Sequence, residues 1–174
     1  MNEGAASSRR WRFALLVISD KAAAGERSDG CLPQMRAGLP PSSSVTCERI
    51  LPDDACALQA LLRDLSDGEG TDCILTAGGT GLGPRDMTPQ ATLAVADYEV
   101  PGLAEAMRAS SVRTVRTAML SRAVAAVRRR TLIINLPGSP TAVRETLAVI
   151  ADVIPHGLAL LRGEVTEHAA VPNR

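Results

Sequence analysis

The chain has 174 residues, 45% of them hydrophobic but only 2% aromatic, and its 19 basic and 19 acidic side chains balance. One domain is expected at this length, with a core of Leu, Val, Ile and Ala rather than rings. The balanced charge and the lack of an aromatic platform argue against a nucleic-acid binder, and no apolar run reaches the roughly 18 residues that a membrane span needs.

Residues 1–10 are small, polar and basic and read as a disordered leader without a signal-peptide core. Residues 13–18, Phe-Ala-Leu-Leu-Val-Ile, are continuously apolar and end at Ser19-Asp20. Such a run predicts a parallel strand buried on both faces. A loop is expected over 22–30 and a short helix over 32–39, stopped by Gly38 and Pro40-Pro41. Residues 45–51 alternate and predict a second strand. Pro52-Asp53-Asp54 then opens a helix with Ala57, Leu58, Leu61, Leu62 and Leu65 on its apolar face; Asp53 sits where an N-cap belongs. Gly68-Glu69-Gly70 ends that helix, and 72–76 predict a third strand.

The most informative segment follows: Thr76-Ala77-Gly78-Gly79-Thr80-Gly81-Leu82-Gly83-Pro84-Arg85-Asp86-Met87-Thr88-Pro89. It reads as strand, glycine loop and helix start, with Thr88 as N-cap and Pro89 at the first helical position. Glycines let backbone N–H groups close around an anion, and a helix N-terminus favours negative charge. With the cation Arg85 and the acid Asp86, this loop suits phosphate chemistry with a metal ion. The segment has no lysine and so is no Walker loop; Pro84 stands where a dinucleotide fingerprint needs its third glycine.

Beyond the loop, 102–112 predict a helix. Strands are expected at 123–127 and 131–136, joined by a solvated basic turn at Arg128-Arg129-Arg130. Pro137-Gly138-Ser139-Pro140 follows, with Ser139 capping a helix to about residue 150; a last helix covers 151–161, and 164–174 form a loose tail. Strands alternating with helices predict an α/β fold, a three-layer sandwich with a mainly parallel β-sheet flanked by helices, in one domain over 11–163. Ligands in such sheets bind beyond the carboxyl ends of the strands. Ser19-Asp20, Pro52-Asp53, the glycine loop and Pro137-Gly138-Ser139 would then share one rim. The cysteines Cys31, Cys47, Cys56 and Cys73 form no CxxC pair, and with only His156 and His168 a structural zinc site is not expected. They are expected to be reduced and buried, in a cytoplasmic protein.

Ile18-Ser19-Asp20, Leu51-Pro52-Asp53, Thr76 to Gly81, Pro84 to Pro89, Ala118-Met119-Leu120-Ser121-Arg122 and Asn135 to Pro140 occur in this order. As a set they resemble the molybdopterin adenylyltransferases of molybdenum-cofactor biosynthesis and the related G domain of gephyrin, over residues 13–161. The resemblance implies transfer of AMP from Mg-ATP to the terminal phosphate of molybdopterin, with release of pyrophosphate. It also implies a homotrimer and a molybdate-insertase partner downstream. By the family match, Asp53 and Asp86 are the catalytic acids and would hold Mg²⁺ or position the attacking phosphate. Gly78, Gly79, Thr80 and Gly81 would hold the nucleotide. Asp20, Ser121, Arg122, Pro137, Gly138 and Ser139 would face molybdopterin.

Structural roles compete for the same residues. Asp53 and Ser139 could be caps only, Asp86 could pair with Arg85, Arg122 could be a surface charge, and Asp29 is expected to cap a helix rather than bind metal. The run Gly30-Cys31-Leu32-Pro33 departs from the family pattern, and Gly83 is an added glycine expected only to loosen the loop. No fused metal-inserting domain is seen, so the reaction would stop at the adenylylated intermediate. The alternative is a non-catalytic molybdopterin-binding or scaffold paralogue of the same fold.

Overall fold

The computed structural model describes residues 10–164. The expected leader and tail lie, apart from Arg10 and Glu164, outside the described residues. The apolar run forms β1 (Trp11–Ile18), flanked by β2 (Ser43–Leu51) and β3 (Cys73–Ala77) and parallel to both. β3 pairs in parallel with β6 (Thr131–Leu136). β5 (Ala125–Arg128) and β4 (Tyr98–Glu99) complete the sheet in antiparallel pairing, in the order β2-β1-β3-β6-β5-β4. The sheet is thus mainly parallel, as expected, with an antiparallel edge.

Helices cover both faces, which is why β1, β3 and β6 read as largely hydrophobic runs. On one face Leu15, Val17, Leu75, Ile134 and Leu136 pack on α2 (Cys31–Ala37), α5 (Pro101–Ser111), α6 (Pro140–Ile150) and α7 (Ile154–Arg162). Met35, Met107, Val143, Leu147 and Leu158 supply the helical side of that layer. On the other face Ala14, Leu16, Ile74 and Ile133 meet Leu58 and Leu62 of α3 (Ala55–Asp67) and Ala91 of α4 (Thr88–Leu93). Each fully buried Leu or Ile contributes about 1.5–3 kcal/mol. These three layers are the expected sandwich.

One buried polar group fixes the glycine-loop helix to the sheet. Asn135 is fully buried in β6; its amide donates to Thr76 Oγ1 (3.0 Å) and to Thr92 Oγ1 on α4 (2.9 Å). At the opposite end of the strands, Asp72 accepts from the backbone N–H and the guanidinium of Arg12 and pairs with Arg162, which also lies over the Trp11 ring. Burial alone would raise the Asp72 carboxyl, but the hydrogen bonds from the two arginines outweigh it and hold it below the usual range.

Several local expectations are corrected. Part of the expected 22–30 loop is a helical turn, α1 (Asp20–Ala23), capped by Ser19. Asp54, not Asp53, caps α3, accepting from the N–H groups of Cys56 and Ala57. Thr88 is the first residue of α4 rather than its cap; Met87 precedes it without a side-chain cap bond. The last helix starts at Ile154, not 151. Neither β4 nor the 3₁₀ turn Arg116–Leu120 was expected. The basic turn is not simply solvated: Arg128 and Arg129 both pair with Asp67 at the end of α3, and Arg129 takes a φ of 54°. Cys31 and Cys73 are buried, whereas Cys47 is half-buried and Cys56 exposed; all four are free thiols. Asp29 caps as expected, accepting from the N–H groups of Cys31 and Leu32. Ser139 caps α6 through the N–H of Ala142 (3.3 Å).

Candidate active site

Parallel pairing brings the carboxyl ends of β1, β2, β3 and β6 to one rim, and the glycine loop leaves β3 at its centre. Gly78 and Gly79 take φ of +105° and +64°, which other residues adopt only with strain. A Cβ on Gly78 would also lie 2.2 Å from the carbonyl oxygen of Ile18. The turn is therefore available to glycine alone. Gly138 packs against it, its own Cβ position 3.2 Å from Gly78 Cα.

The loop's backbone is pinned at its ends, and between them its N–H groups are free. Gly78 N–H donates to Leu136 O, and Gly79 O accepts from Thr88 N–H. The N–H groups of Gly79, Thr80, Gly81 and Leu82 donate to nothing among the described residues. A run of unengaged N–H groups beside a helix start is an anion cradle. Arg122 is no mere surface charge: half-buried, it donates from its N–H to Thr80 O (2.9 Å), from Nε to Gly81 O (2.7 Å) and from Nη2 to Asp86 O. It ties the loop to the segment before β5.

Acids stand on either side of the cradle. Asp20 and Asp53 are locked to each other: Asp20 N–H donates to Asp53 Oδ2 (3.1 Å), and Asp53 N–H donates to Asp20 Oδ1 (3.0 Å). Arg85 clamps this pair, with Nε 2.9 Å from Asp20 Oδ2 and Nη2 donating to Asp20 Oδ1 (2.9 Å) and Asp53 O (3.2 Å). Asp86 does not pair with Arg85. Its Oδ2 accepts from Gly83 N–H at 2.8 Å and fills the space where Gly81 or Gly83 would carry a Cβ, 2.9 and 2.8 Å away. Gly83 therefore makes room for the carboxylate rather than loosening the loop. Asp53 Oδ1 lies 3.5 Å from the Cβ position of Gly79, next to Thr88 Oγ1, which is buried without a hydrogen-bond partner.

Beside the loop opens a groove of about 340 Å³ between α5, the 3₁₀ turn and the start of α6. Of the expected site residues, Thr80, Gly81, Ser121, Pro137 and Ser139 line it, whereas Asp20, Asp53 and Asp86 do not. Met107, Val115 and Leu120 make its walls apolar. No sequence motif pointed to Met107 and Val115, or to Arg108 and Glu145 in the same lining; the packing of α5 on α6 assembles them. Cys31, the departure from the family pattern, is buried in α2 with its thiol toward Gly138 O (3.7 Å). Burial, then Asp29, raises its pKa, so it stays a thiol.

A loop with unengaged N–H groups, two carboxylates beside it and an apolar groove next to it has the donors and the space to hold a phosphorylated heterocycle. Residues 14–156 match the family model described as "Probable molybdopterin binding domain". The chain belongs to that family. It is 42% identical over 157 residues to a molybdopterin adenylyltransferase of Haemophilus influenzae, covering 87% of this chain and 78% of that protein. Among solved structures, the molybdopterin biosynthesis enzyme MoaB of Thermus thermophilus superposes with a TM-score of 0.83 at 47% identity, over 88% of this chain and 97% of that one. The tungsten cofactor synthesizing protein MoaB of Pyrococcus furiosus superposes at 0.80 and 31% identity, over 88% and 98%. No helix among the described residues is long and apolar enough to cross a membrane.

Proposed function

We propose that this molybdopterin-binding family member is a molybdopterin adenylyltransferase: molybdopterin and ATP give adenylyl-molybdopterin and pyrophosphate. The observation that carries the reading is the unengaged N–H run from Gly79 to Leu82, set between Asp53 and Asp86 and opening into the groove. Relatives more than 40% identical over most of the chain carry the same activity in their names.

In this reading the cradle of Gly78, Gly79, Thr80 and Gly81 receives the triphosphate. Molybdopterin lies along the groove, with Ser121, Pro137, Gly138 and Ser139 about its phosphate end and Arg122 holding the loop between the two substrates. An oxygen of the molybdopterin phosphate attacks the α-phosphorus; the bond to the β-phosphate oxygen breaks, and pyrophosphate leaves with the electron pair. No general base is required, because a phosphate monoester is already largely ionised at neutral pH. The protein's task is to hold two anions together and stabilise the charge that shifts onto pyrophosphate. Arg85, held over Asp20 and Asp53, is placed to exchange a carboxylate for a phosphate oxygen.

Mg²⁺ fits the donors present. Asp53 and Asp86 supply hard carboxylate oxygens, and the orphaned Thr88 hydroxyl beside Asp53 supplies a third oxygen. No cluster of three or more His, Cys, Asp or Glu among the described residues could hold a metal by itself. Mg²⁺ needs no such cluster, since it takes one or two carboxylates and completes its shell with phosphates and water. When bound it would neutralise the pyrophosphate leaving group.

The reading extends to a cytoplasmic homotrimer that hands its product to a molybdate insertase. An exposed apolar face carrying Tyr98, Val153 and Leu160 is the kind of surface that subunit contacts cover. Incubation with molybdopterin and Mg-ATP, followed by chromatography, tests the core of the proposal. Adenylyl-molybdopterin that requires both ATP and Mg²⁺ is the expected product; tight molybdopterin binding without product would favour a carrier instead.

A further inference from the structure

The groove beside the glycine loop contains two charged side chains among the residues that line it, Arg108 on α5 and Glu145 on α6. The Glu145 side chain has no hydrogen bond or ion pair with any described residue, although Arg108 lines the same groove. Arg108 is half-buried and held by one hydrogen bond, from Nη1 to Ala123 O at 2.7 Å, leaving its other N–H groups uncommitted. The rest of the lining is apolar or hydroxylated, with Met107, Val115 and Leu120 supplying apolar surface for a ring. An acceptor-only group and a donor-only group thus stand at one apolar slot without neutralising each other.

This pattern discriminates between the two heterocycles of the proposed reaction. A 2-amino-4-oxopyrimidine ring presents two adjacent donors, the 2-amino group and N3–H, followed by the 4-oxo acceptor. An ionised carboxylate accepts from both donors at once, and an arginine donates to the oxo group, as arginine does to O6 of guanine. Adenine presents a donor beside an acceptor, so one carboxylate oxygen would face a lone pair. We infer that Glu145 reads the 2-amino/N3–H edge of the pterin ring and Arg108 its 4-oxo group, which assigns the groove to the pterin and not to the adenine. The inference rests on the adenylyltransferase reading for the identity of the substrate, but the recognition chemistry stands on the groove alone.

The test uses two pteridines that differ at this edge. Pterin carries the 2-amino donor; lumazine carries a 2-oxo acceptor in its place. Binding of each to the full chain is measured by fluorescence quenching, without ATP, for the wild type and for Glu145→Gln. A bidentate carboxylate contact favours the right edge by roughly 10- to 100-fold. The wild type is therefore expected to prefer pterin by at least about 10-fold. Glu145→Gln should erase or invert that preference, because an amide donates to the 2-oxo group while accepting from N3–H. In turnover, Glu145→Gln should raise KM for molybdopterin and leave KM for ATP unchanged.

Equal wild-type affinity for the two pteridines, no binding of either, or a preference that survives Glu145→Gln overturns the inference. A rise in KM for ATP instead would give the groove to adenine and overturn it as well. Lack of adenylylation by a wild type that still discriminates the pteridines would defeat the catalytic reading and leave the Glu145 assignment standing. Glu145 is exposed on α6, and its substitution removes no side-chain hydrogen bond or ion pair with a described residue.

Discussion

Replacing Gly81 with Ala should slow the reaction without unfolding the protein. Gly81 lies outside the left-handed region, so alanine adopts its backbone without strain. The new methyl, however, would sit 2.9 Å from Asp86 Oδ2, where ordinary contact begins at 3.4 Å. The neighbour is the free end of a side chain, so the carboxylate gives way by about half an ångström, for which an off-rotamer χ angle costs about 0.5–1.5 kcal/mol. Loss of glycine freedom in the unfolded chain offsets about 0.4–1 kcal/mol of this. The net stability change stays within about 1 kcal/mol, and Tm within about 4 °C for a domain of this size. Catalysis is less forgiving: a displacement of 1 Å can cost about 10²-fold, so half of it should lower kcat about 10-fold. Gly70→Ala is the control, since its Cβ meets nothing within 4 Å at the far end of the strands. The assay is steady-state adenylylation with a thermal melt of each variant. A Gly81→Ala enzyme with wild-type kcat would show that the position of Asp86 is no part of the reaction. A melt lowered by more than about 10 °C, well beyond the shift expected of a 1 kcal/mol change, would show that the loop backbone, not the carboxylate, absorbs the methyl.

Asp86→Asn keeps an acceptor for Gly83 N–H but removes the charge, so turnover should fall at least about 10²-fold with circular dichroism unchanged; undiminished turnover would remove Asp86 from the mechanism. Asp72 is held below its ordinary pKa by Arg12 and Arg162, so its contribution is present above the unfolded carboxylate pKa of about 3.9 and fades as pH falls through the lower folded value. Melts of the wild type and Asp72→Asn should therefore differ most near neutral pH and draw together as pH falls below about 3.9; a constant gap would refute the linkage. Asn135→Ala leaves Thr76 and Thr92 without their buried donor and loosens α4, and should cost about 2–4 kcal/mol in urea unfolding. A loss under about 1 kcal/mol would mean that water replaces the amide.

The layers of this fold were legible because buried parallel strands leave an unmistakable mark. Residues 13–18 are apolar throughout, and 131–136 are apolar at all positions but Thr131 and Asn135; only a sheet covered on both sides asks for that. The edge was not legible: β4 is two exposed residues, and its existence depends on β5 lying beside it. The sequence places both a cap and a catalytic acid at Asp53, because Asp54 stands next to it and only the backbone decides which N–H groups point back. The choice of cap has a functional side. With Asp54 capping α3, the Asp53 carboxylate is released from that duty and turned toward the glycine loop. Arg85 likewise could not be paired from sequence, because Asp86 is its chain neighbour and Asp20 is 65 residues away. The glycines tell the same story from the other side. Gly78 and Gly79 are demanded by backbone angles, whereas Gly81 and Gly83 are demanded by the carboxylate they make room for. The loop carries two requirements in one run of glycines, a turn that opens N–H groups to an anion and a seat that fixes an acid beside it. The Gly81 substitution separates them, since it leaves the turn intact and disturbs only the seat.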